Sequence, residues 1–242
     1  MVKRIDPSLL PPSPNLSFEE KLWKAGIKHI AGVDEAGRGA LAGPVAAAAV
    51  ILPPIASILE TLHGLDDSKQ LSPVERTAWA EKIRTEAAAW GIGFATHVEI
   101  DLWGIIPATR LAARRAMENF DFTAEHLLLD YLFLPDCDIP QTSLVKGDAR
   151  SLSIAAASVL AKTARDALLV GLESEYPGYR FSAHKGYGTP QHLAALHQLG
   201  PSEVHRMSFA PLKDQGETTQ CSCSSKLNPK SHKSLDTAAS GK

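Results

Sequence analysis

Two adjacent carboxylates, Asp34 and Glu35, stand between an apolar run and a glycine-rich turn. The apolar run covers residues 30–33, and the turn is Gly37-Arg38-Gly39. Carboxylate oxygens at a strand end suit hard divalent cations such as Mg²⁺ and Mn²⁺. The two glycines leave the backbone around the guanidinium of Arg38 bare enough for another molecule to approach closely. Metal-binding acids beside a loop that reads a phosphate or a sugar predict phosphodiester chemistry.

This interpretation has a simpler alternative and a geometric condition. An isolated Asp-Glu pair is most often an exposed acidic turn between two strands, but here an apolar strand precedes it and a glycine-rich turn follows. Consecutive strand residues point to opposite faces of a sheet. Asp34 and Glu35 can therefore meet at one site only if the strand bends or frays near them.

Asp130 is a candidate for the third acid of this site. It ends the leucine-rich segment of residues 126–130, which predicts a short buried strand, and α/β sheets commonly collect their ligands at such strand ends. On local sequence alone, a turn acid or a helix N-cap explains Asp130 about as well.

Asp148 and Asp166 compete for a fourth acidic position. Asp148 follows Lys146-Gly147 and could instead cap the next helix. Asp166 falls well inside a predicted helix, where an ion pair with Lys162 or Arg165 is the simpler explanation. We therefore favour Asp148 over Asp166.

Other motifs carry weaker signals. The spacing Gly37-x-Gly39-x-x-x-Gly43 misses the G-x-G-x-x-G of dinucleotide-binding loops, and a strand rather than a helix is predicted after it. Cys221 and Cys223 have no further cysteines or histidines at zinc-finger spacing, so they are a weak metal signal. His184, His192 and His197 show no ligand pattern.

The elements that must position these residues alternate between strand and helix. Residues 28–33 and 45–52 predict an antiparallel strand pair, followed by a capped helix from Ser72 and a strand over residues 92–98. A capping-box pattern of Ser17 and Glu20 predicts an early short helix that ends near Gly26. A long alanine-rich helix is predicted from Ser151 to about residue 175. The pattern favours an α/β fold with a mixed sheet.

Length and composition predict one main domain with two polar ends. The chain has 242 residues, 44% of them hydrophobic, and a net charge of −2. We expect a proline-rich leader over residues 1–16, a folded domain over 17–213 and a disordered tail over 214–242. The longest near-apolar run, residues 40–52, is shorter than the ~20 residues of a membrane-spanning helix. An odd number of cysteines, three, favours a reducing cytoplasm over a disulfide framework.

Three segments together resemble the bacterial type of the type 2 ribonuclease H family, ribonuclease HII. The first is the Asp-Glu-Ala-Gly-Arg-Gly stretch of residues 34–39 with residues 41–44 behind it. The second is Val145-Lys146-Gly147-Asp148 with the alanine-rich residues 153–162 and Arg165-Asp166, and the third is residues 184–189. The resemblance runs in order from about residue 25 to about residue 213.

The resemblance implies a ribonuclease H-like fold, with a mixed central sheet flanked by helices and a small helical C-terminal part from about residue 189. It implies an endoribonuclease that hydrolyses the RNA strand of RNA–DNA hybrids and nicks duplex DNA 5′ of single embedded ribonucleotides, leaving a 3′-hydroxyl and a 5′-phosphate. The mechanism would be two-metal hydrolysis with Mn²⁺ or Mg²⁺. We expect a cytoplasmic monomer whose partners are nucleic acids and not membranes.

The same resemblance implies roles for individual residues. Asp34, Glu35 and Asp130 would hold the ions, and Asp148 would complete the catalytic acids. The loop of Gly37, Arg38 and Gly39 would read the 2′-hydroxyl, the group that distinguishes RNA from DNA. The ring of Tyr187 would stack on the neighbouring sugar. Apart from the resemblance, Lys69 and Lys185 are candidate phosphate contacts, although solvated surface lysines have the same appearance in a sequence. The substrate-contact candidates are therefore Gly37, Arg38, Gly39, Lys69, Lys185 and Tyr187.

A non-catalytic module that binds RNA–DNA hybrids is the main alternative. The set of acids argues against it, because a protein that only binds gains nothing from carboxylates that face phosphates. A duplex with one ribonucleotide, tested with and without divalent metal, separates the two functions.

Overall fold

The computed structural model describes residue 6 and residues 10–66, 68, 71–120 and 123–213 of the chain. Within these residues the chain forms helices on both sides of one sheet. In chain order, the elements are α1 (Ser17–Lys24), β1 (Ile30–Ala36), β2 (Val45–Ile51), α2 (Ile58–Thr61), α3 (Pro73–Glu86), β3 (Ala89–Ala95), α4 (His97–Trp103), α5 (Ile105–Met117), β4 (His126–Asp130), β5 (Gln141–Leu144), α6 (Leu152–Glu175), α7 (Phe181–His184) and α8 (Pro190–Leu199).

The sheet is mixed and has the strand order β3-β2-β1-β4-β5. β1 pairs with β2 antiparallel, as the sequence predicts, and β2 pairs with β3 antiparallel. On the other side, β1 pairs with β4 and β4 with β5 in parallel. β1 therefore lies at the centre, between an antiparallel and a parallel half of the sheet.

Alternate residues of β2 pack against different helical layers. Ala48 and Val50 belong to the core cluster that contains α6 and α3, whereas Ala47 and Ala49 belong to the cluster that contains α5. Both faces of the sheet are buried, which is why β2 reads as a continuous apolar run.

A glycine in β1 sets the distance between this strand and α6. A Cβ added to Gly32 would lie 2.2 Å from the carbonyl carbon of Ser153, at the first turn of α6. No real Cβ tolerates such a contact with backbone. Gly32 therefore brings α6 against β1 two residues before Asp34.

Two predicted boundaries are wrong. The strand predicted over residues 92–98 is β3 at Ala89–Ala95, and residues 97 and 98 already belong to α4. The capping box of Thr96 and Glu99 begins α4. The Thr-x-x-Glu pattern in the sequence marks this helix start. The capping box predicted for Ser72 and Glu75 at the start of α3 is present.

The capping box predicted for Ser17 and Glu20 is also wrong. The backbone N–H of Ser17 donates instead to Oδ1 of Asn15, at 2.9 Å. Glu19, rather than Glu20, is buried, and it accepts hydrogen bonds from the hydroxyls of Ser151 and Ser153. α1 is thus fastened to the start of α6, and it ends at Lys24.

The packed part of the chain begins before residue 17 and extends to its described end. Asn15 pairs with Ser151, and Leu16 is only 2% exposed within the core. At the other end, Leu212 is 1% exposed and packs with α6, α7 and α8. Residues 214–242, including Cys221 and Cys223, lie outside the described residues. Among the helices described here, none is both long enough and apolar enough to cross a membrane.

Candidate functional site

Asp34 and Asp130 lie side by side at the carboxyl ends of two adjacent parallel strands. The register pairs Val33 of β1 with Leu129 of β4, so that the next residue on each strand is an aspartate. Asp148 approaches from the loop between β5 and α6. One carboxylate oxygen from each of Asp34, Asp130 and Asp148 lies within 4.8 Å of the other two.

Backbone N–H groups orient these carboxylates. The N–H of Gly147 donates to Oδ1 of Asp130 at 2.6 Å, and the N–H of Ala149 donates to Oδ1 of Asp148 at 2.9 Å. The first bond ties the loop that carries Asp148 directly to the end of β4. Asp130 thus holds the loop of Asp148 in place as well as facing its carboxylate.

The charge of Asp34 is unfavourable in this environment. Asp34 is 4% exposed, and burial raises the pKa of its carboxyl well above the usual value. The neighbouring carboxylates of Glu35, Asp130 and Asp148 raise this pKa further, while a hydrogen bond with the Ser158 side chain opposes the shift. A purely oxygen donor set with this excess of negative charge fits a hard divalent cation.

Glu35 stands beside the three aspartates but has a different partner. Its Oε1 accepts a hydrogen bond from Nη1 of Arg38 at 2.9 Å, and its side chain is 9% exposed. Among the described residues, the group of acids whose oxygens converge comprises the three aspartates and not Glu35. The pairing of β1 with β2 continues through Ala36, so the strand does not fray at the two acids. Fraying was one of the two ways, beside a bend, in which both acids could have met at one site.

The acids open into a cavity of about 440 Å³. Its walls bring together the acidic residues, the glycine-rich loop and side chains from α6 and from the Tyr187 loop. The lining residues are Asp34, Glu35, Ala36, Gly37, Arg38, Ser68, Asp130, Ser158, Lys162 and Tyr187.

Two buried arginines hold the backbone of the glycine-rich loop and of residues 42–44 that follow it. The guanidinium of Arg165 donates to the carbonyls of Ala42 and Pro44, and that of Arg206 donates to the carbonyls of Arg38 and Gly43. Both side chains are fully buried, and burial lowers the pKa of each, to about 9 for Arg206. These contacts were not predicted, since the sequence suggested at most an ion pair for Arg165.

The two glycines of the loop have different surroundings. Gly37 has a φ of +92°, and an added Cβ would lie 1.8 Å from Nε of Arg165. Gly39 has open space around the position of a Cβ. Gly37 is therefore required for packing, whereas Gly39 leaves the backbone open to an approaching molecule.

Tyr187 lines the same cavity as Asp34 and Asp130. Its backbone pairs with Ala40, which directly follows the glycine-rich loop. The centroid of its ring lies 5.2 Å from Nζ of Lys162 and 5.2 Å from the guanidinium carbon of Arg165. Both distances are typical of cation–π contacts. An aromatic ring and a lysine thus line the cavity together with the acids.

The other sequence candidates lie elsewhere. Asp166 is held by Lys162, at 2.8 Å, and by Arg76, at 3.3 Å, so it lies outside the converging acids. Lys185 donates to the carbonyl of Ser182. Lys69 lies outside the described residues.

Sequence reasoning missed two hydroxyls in the cavity. Ser158 bonds the carboxyl of Asp34, and the hydroxyl of Ser68 lies 2.9 Å from that of Ser158. Both residues are buried. Their position in segments that already carried candidate residues was the available signal, because Ser68 precedes Lys69 and Ser158 lies in the alanine-rich segment.

A mixed sheet between helices, with acids meeting at the ends of its central strands, defines an α/β nuclease of the ribonuclease H type. The model of the family described as Ribonuclease HII matches residues 31–212. The chain belongs to the ribonuclease HII family and is an endonuclease of the ribonuclease H type that depends on a divalent metal.

Relatives and solved structures agree with this assignment. The ribonuclease HII of Synechococcus sp. (strain JA-3-3Ab) is 53% identical over 83% of this chain and 90% of its own length. That of Chloroflexus aggregans is 47% identical over 87% of this chain and 100% of its own length. The crystal structure of ribonuclease H2 from Pyrococcus horikoshii matches with a TM-score of 0.65 at 22% identity, covering 79% of this chain and 99% of that one. This likeness confirms the ribonuclease H-like fold.

Proposed function

We propose that the chain hydrolyses the RNA strand of RNA–DNA hybrids and nicks duplex DNA on the 5′ side of a single embedded ribonucleotide. The observation that carries this proposal is one cavity lined by two of the three converging aspartates, by the glycine-rich loop and by Tyr187. The two aspartates are Asp34 and Asp130. The acids suit phosphodiester cleavage, and the loop and the ring suit recognition of a sugar.

Asp34, Asp130 and Asp148 are the proposed metal ligands, and Glu35 is proposed to act beside them. Divalent cations bound there would supply an activated water and stabilise the leaving oxygen. The burial of Asp34 among other carboxylates supports this role, because its charge needs a counter-charge. Mg²⁺ and Mn²⁺ both suit oxygen donors, and a solved structural neighbour, Bst-RNase HIII, is in complex with Mn²⁺.

The loop of residues 37–39 is proposed to read the 2′-hydroxyl. Arg206 holds the carbonyl of Arg38 within the loop, and Arg165 holds that of Ala42 just beyond it. These contacts support a fixed conformation of the loop. The open space at Gly39 leaves room for a sugar to approach the backbone. Glu35 orients the guanidinium of Arg38 at the edge of the same cavity.

Tyr187 is proposed to contact the sugar next to the ribonucleotide. Its ring lies near the cationic groups of Lys162 and Arg165, and Tyr187 lines the cavity, where a sugar could contact the ring. Lys162 has its ammonium near the ring and lines the cavity, so we add it as a phosphate contact. Both contacts would hold the scissile phosphate in line with the acids.

The test compares three labelled duplexes that differ only in their sugars: all-DNA, DNA with one ribonucleotide, and a full RNA–DNA hybrid. Each is incubated with chelator, Mg²⁺ or Mn²⁺, and the ends of the products are mapped. We expect metal-dependent cuts in the two ribonucleotide-containing duplexes, with a 5′-phosphate on the ribonucleotide. Equal cutting of the all-DNA duplex would refute 2′-hydroxyl reading, and binding without any cutting would identify a non-catalytic hybrid-binding protein.

Variants of Arg38 and Tyr187, the residues proposed to recognise the sugars, refine this test. Arg38→Ala and Tyr187→Ala should slow cleavage of the single-ribonucleotide duplex more than that of the hybrid, because only one 2′-hydroxyl is available there. Base–aromatic stacking is worth about 1–3 kcal/mol, and we expect the sugar contact to lie at or below the lower end. Tyr187→Phe keeps the ring and is the matched control. Parental cleavage of both substrates by both alanine variants would remove these residues from the proposed site.

A further inference from the structure

Three buried histidines lie beneath the loop that carries Tyr187. His184, His192 and His205 are 7%, 0% and 1% exposed. The rings of His184 and His192 are stacked with their centroids 4.3 Å apart, and those of His192 and His205 are 5.2 Å apart. The converging metal-ligand group among the described residues contains none of them.

The hydrogen bonds of His192 and His205 have only one consistent direction. Nδ1 of His192 lies 3.0 Å from the carbonyl oxygen of Tyr187, and a carbonyl can only accept, so this nitrogen carries the proton. In the neutral ring Nε2 is then an acceptor. Nε2 of His205, 3.0 Å away, must therefore donate to it.

The remaining nitrogen of His205 completes the chain. Its Nδ1 has to be an acceptor once Nε2 carries the proton. The backbone N–H and the hydroxyl of Ser202, at 2.9 and 2.8 Å, can both donate to it, whereas the Ser202 carbonyl at 3.3 Å then receives no proton from the ring. A single series of donations thus runs from Ser202 through His205 and His192 to the carbonyl of Tyr187. We call this series the histidine relay.

His184 fixes the peptide group between Lys185 and Gly186, one residue before Tyr187. Its Nε2 lies 2.8 Å from the carbonyl oxygen of Tyr179 and therefore carries the proton. Its Nδ1 then accepts from the backbone N–H of Gly186, at 3.2 Å. Gly186 itself has a φ of +77°, and an added Cβ would lie 2.6 Å from the carbonyl oxygen of Ala42, so this turn cannot relax freely.

We propose that His192 and His205 are positioning residues that set the place of the Tyr187 ring in the cavity, with His184 holding the preceding turn. The proposal rests on the proposed function, because Tyr187 receives a sugar contact only there. The three histidines are neither among the converging acids nor among the residues that line the cavity. They would act through the backbone of Tyr187.

The relay needs neutral imidazoles, and its surroundings favour them. Burial lowers the pKa of all three histidines, to about 4 for His205. A second proton on His192 would place its Nε2–H against the Nε2–H of His205. A second proton on His205 would place its Nδ1–H against the backbone N–H of Ser202. Near His184, the other charged groups that face these rings are Glu173, Arg180 and Lys185. Near His205 they are His97 and the titratable phenol of Tyr179, whose ring centroid is 5.1 Å from that of His205.

A matched pair of variants at His205 tests the relay. In His205→Gln the amide can occupy the place of Nε2 and still donate to His192, whereas the shorter side chain of His205→Asn does not reach it. We expect His205→Asn to lower kcat/KM about tenfold on the single-ribonucleotide duplex, because small misplacements of a reacting group are costly. His205→Gln should restore most of this loss.

The background of Tyr187→Ala separates positioning from a general structural role. If His205 acts through Tyr187, His205→Asn should cost less than about twofold in that background, because the two changes are then coupled. An equal loss in the parent and in Tyr187→Ala, or an equal loss in the Gln and Asn variants, would overturn the proposal.

Imidazole NMR of the full-length parent protein tests the relay without any cleavage assay. Long-range ¹H–¹⁵N spectra should show the proton on Nδ1 in His192 and on Nε2 in His184 and His205. Any other tautomer pattern overturns the relay. A parent protein that cuts no substrate would refute the proposed function, while the tautomers would still decide whether the relay exists.

Discussion

At the scale of single residues, the site depends on charges that the folded chain brings together against their own repulsion. Asp34 is buried, and the carboxylates around it raise its pKa well above the usual value. The sequence could predict that these acids matter, because Asp34 and Asp130 each end an apolar segment. It could not predict that Glu35 pairs with Arg38, because that contact depends on the conformation of the loop between them.

Asp34→Asn should abolish cleavage at any Mg²⁺ concentration while substrate binding and the fold remain. The change keeps the shape of the side chain and removes the charge proposed to hold the ions. Without metal, the thermal unfolding temperature should not fall, because a poorly compensated buried charge has been removed. Added Mg²⁺ or Mn²⁺ should raise this temperature in the parent but not in the variant. Near-normal turnover would rule out the assigned site.

Asp148→Asn and Asp166→Asn form a matched pair that decides the fourth acid. Loss of one proposed ligand should slow cleavage by at least about 100-fold, because metal stabilisation of the transition state is worth several kcal/mol. Asp166 lies outside the converging acids and is linked to the cavity only through its ion pair with Lys162. Its variant should therefore lose no more than about tenfold, the loss expected from a loosened phosphate contact. Single-turnover rates at saturating metal measure both, and the reverse order of effects would exchange their roles.

At the scale of elements, glycines and buried arginines decide how closely the parts of the site approach one another. Gly32 brings α6 against β1, and Gly37 makes room for Arg165. The glycine-rich loop was visible in the sequence as a place where another molecule could approach. Its dependence on Arg165 and Arg206 was not, since these residues lie more than a hundred positions later in the chain.

Gly37→Ala and Gly39→Ala should separate packing from substrate access. Gly37→Ala places a side chain at a φ of +92° and against Arg165, so we expect a loss of stability of about 2 kcal/mol or more. Gly39→Ala meets open space and should unfold in urea like the parent. If the backbone at Gly39 receives the sugar, its variant should still raise KM for the single-ribonucleotide duplex. Equal stability losses in the two variants would contradict this division.

At the scale of the whole molecule, the α/β class and the antiparallel pair of β1 and β2 followed from hydrophobic patterning. The strand order did not, because periodicity cannot say that β1 also pairs with β4. That parallel pairing is what brings Asp34 beside Asp130. The histidine relay likewise joins the Tyr187 loop to residues on and beyond α8, and no local pattern marks it.

The boundary predicted near residue 214 gives the last test. Deleting residues 215–242 should leave cleavage and thermal unfolding almost unchanged, because this segment is rich in Ser, Thr and Lys and contains few apolar residues that could pack. The matched control removes residues 209–242 and so takes away Leu212, which is 1% exposed, and Phe209, which packs against the same cluster. That longer deletion should lower the unfolding temperature clearly, since large buried side chains are each worth about 2–5 kcal/mol. If the shorter deletion destabilises the protein as much as the longer one, the folded domain extends into the segment predicted to be a disordered tail.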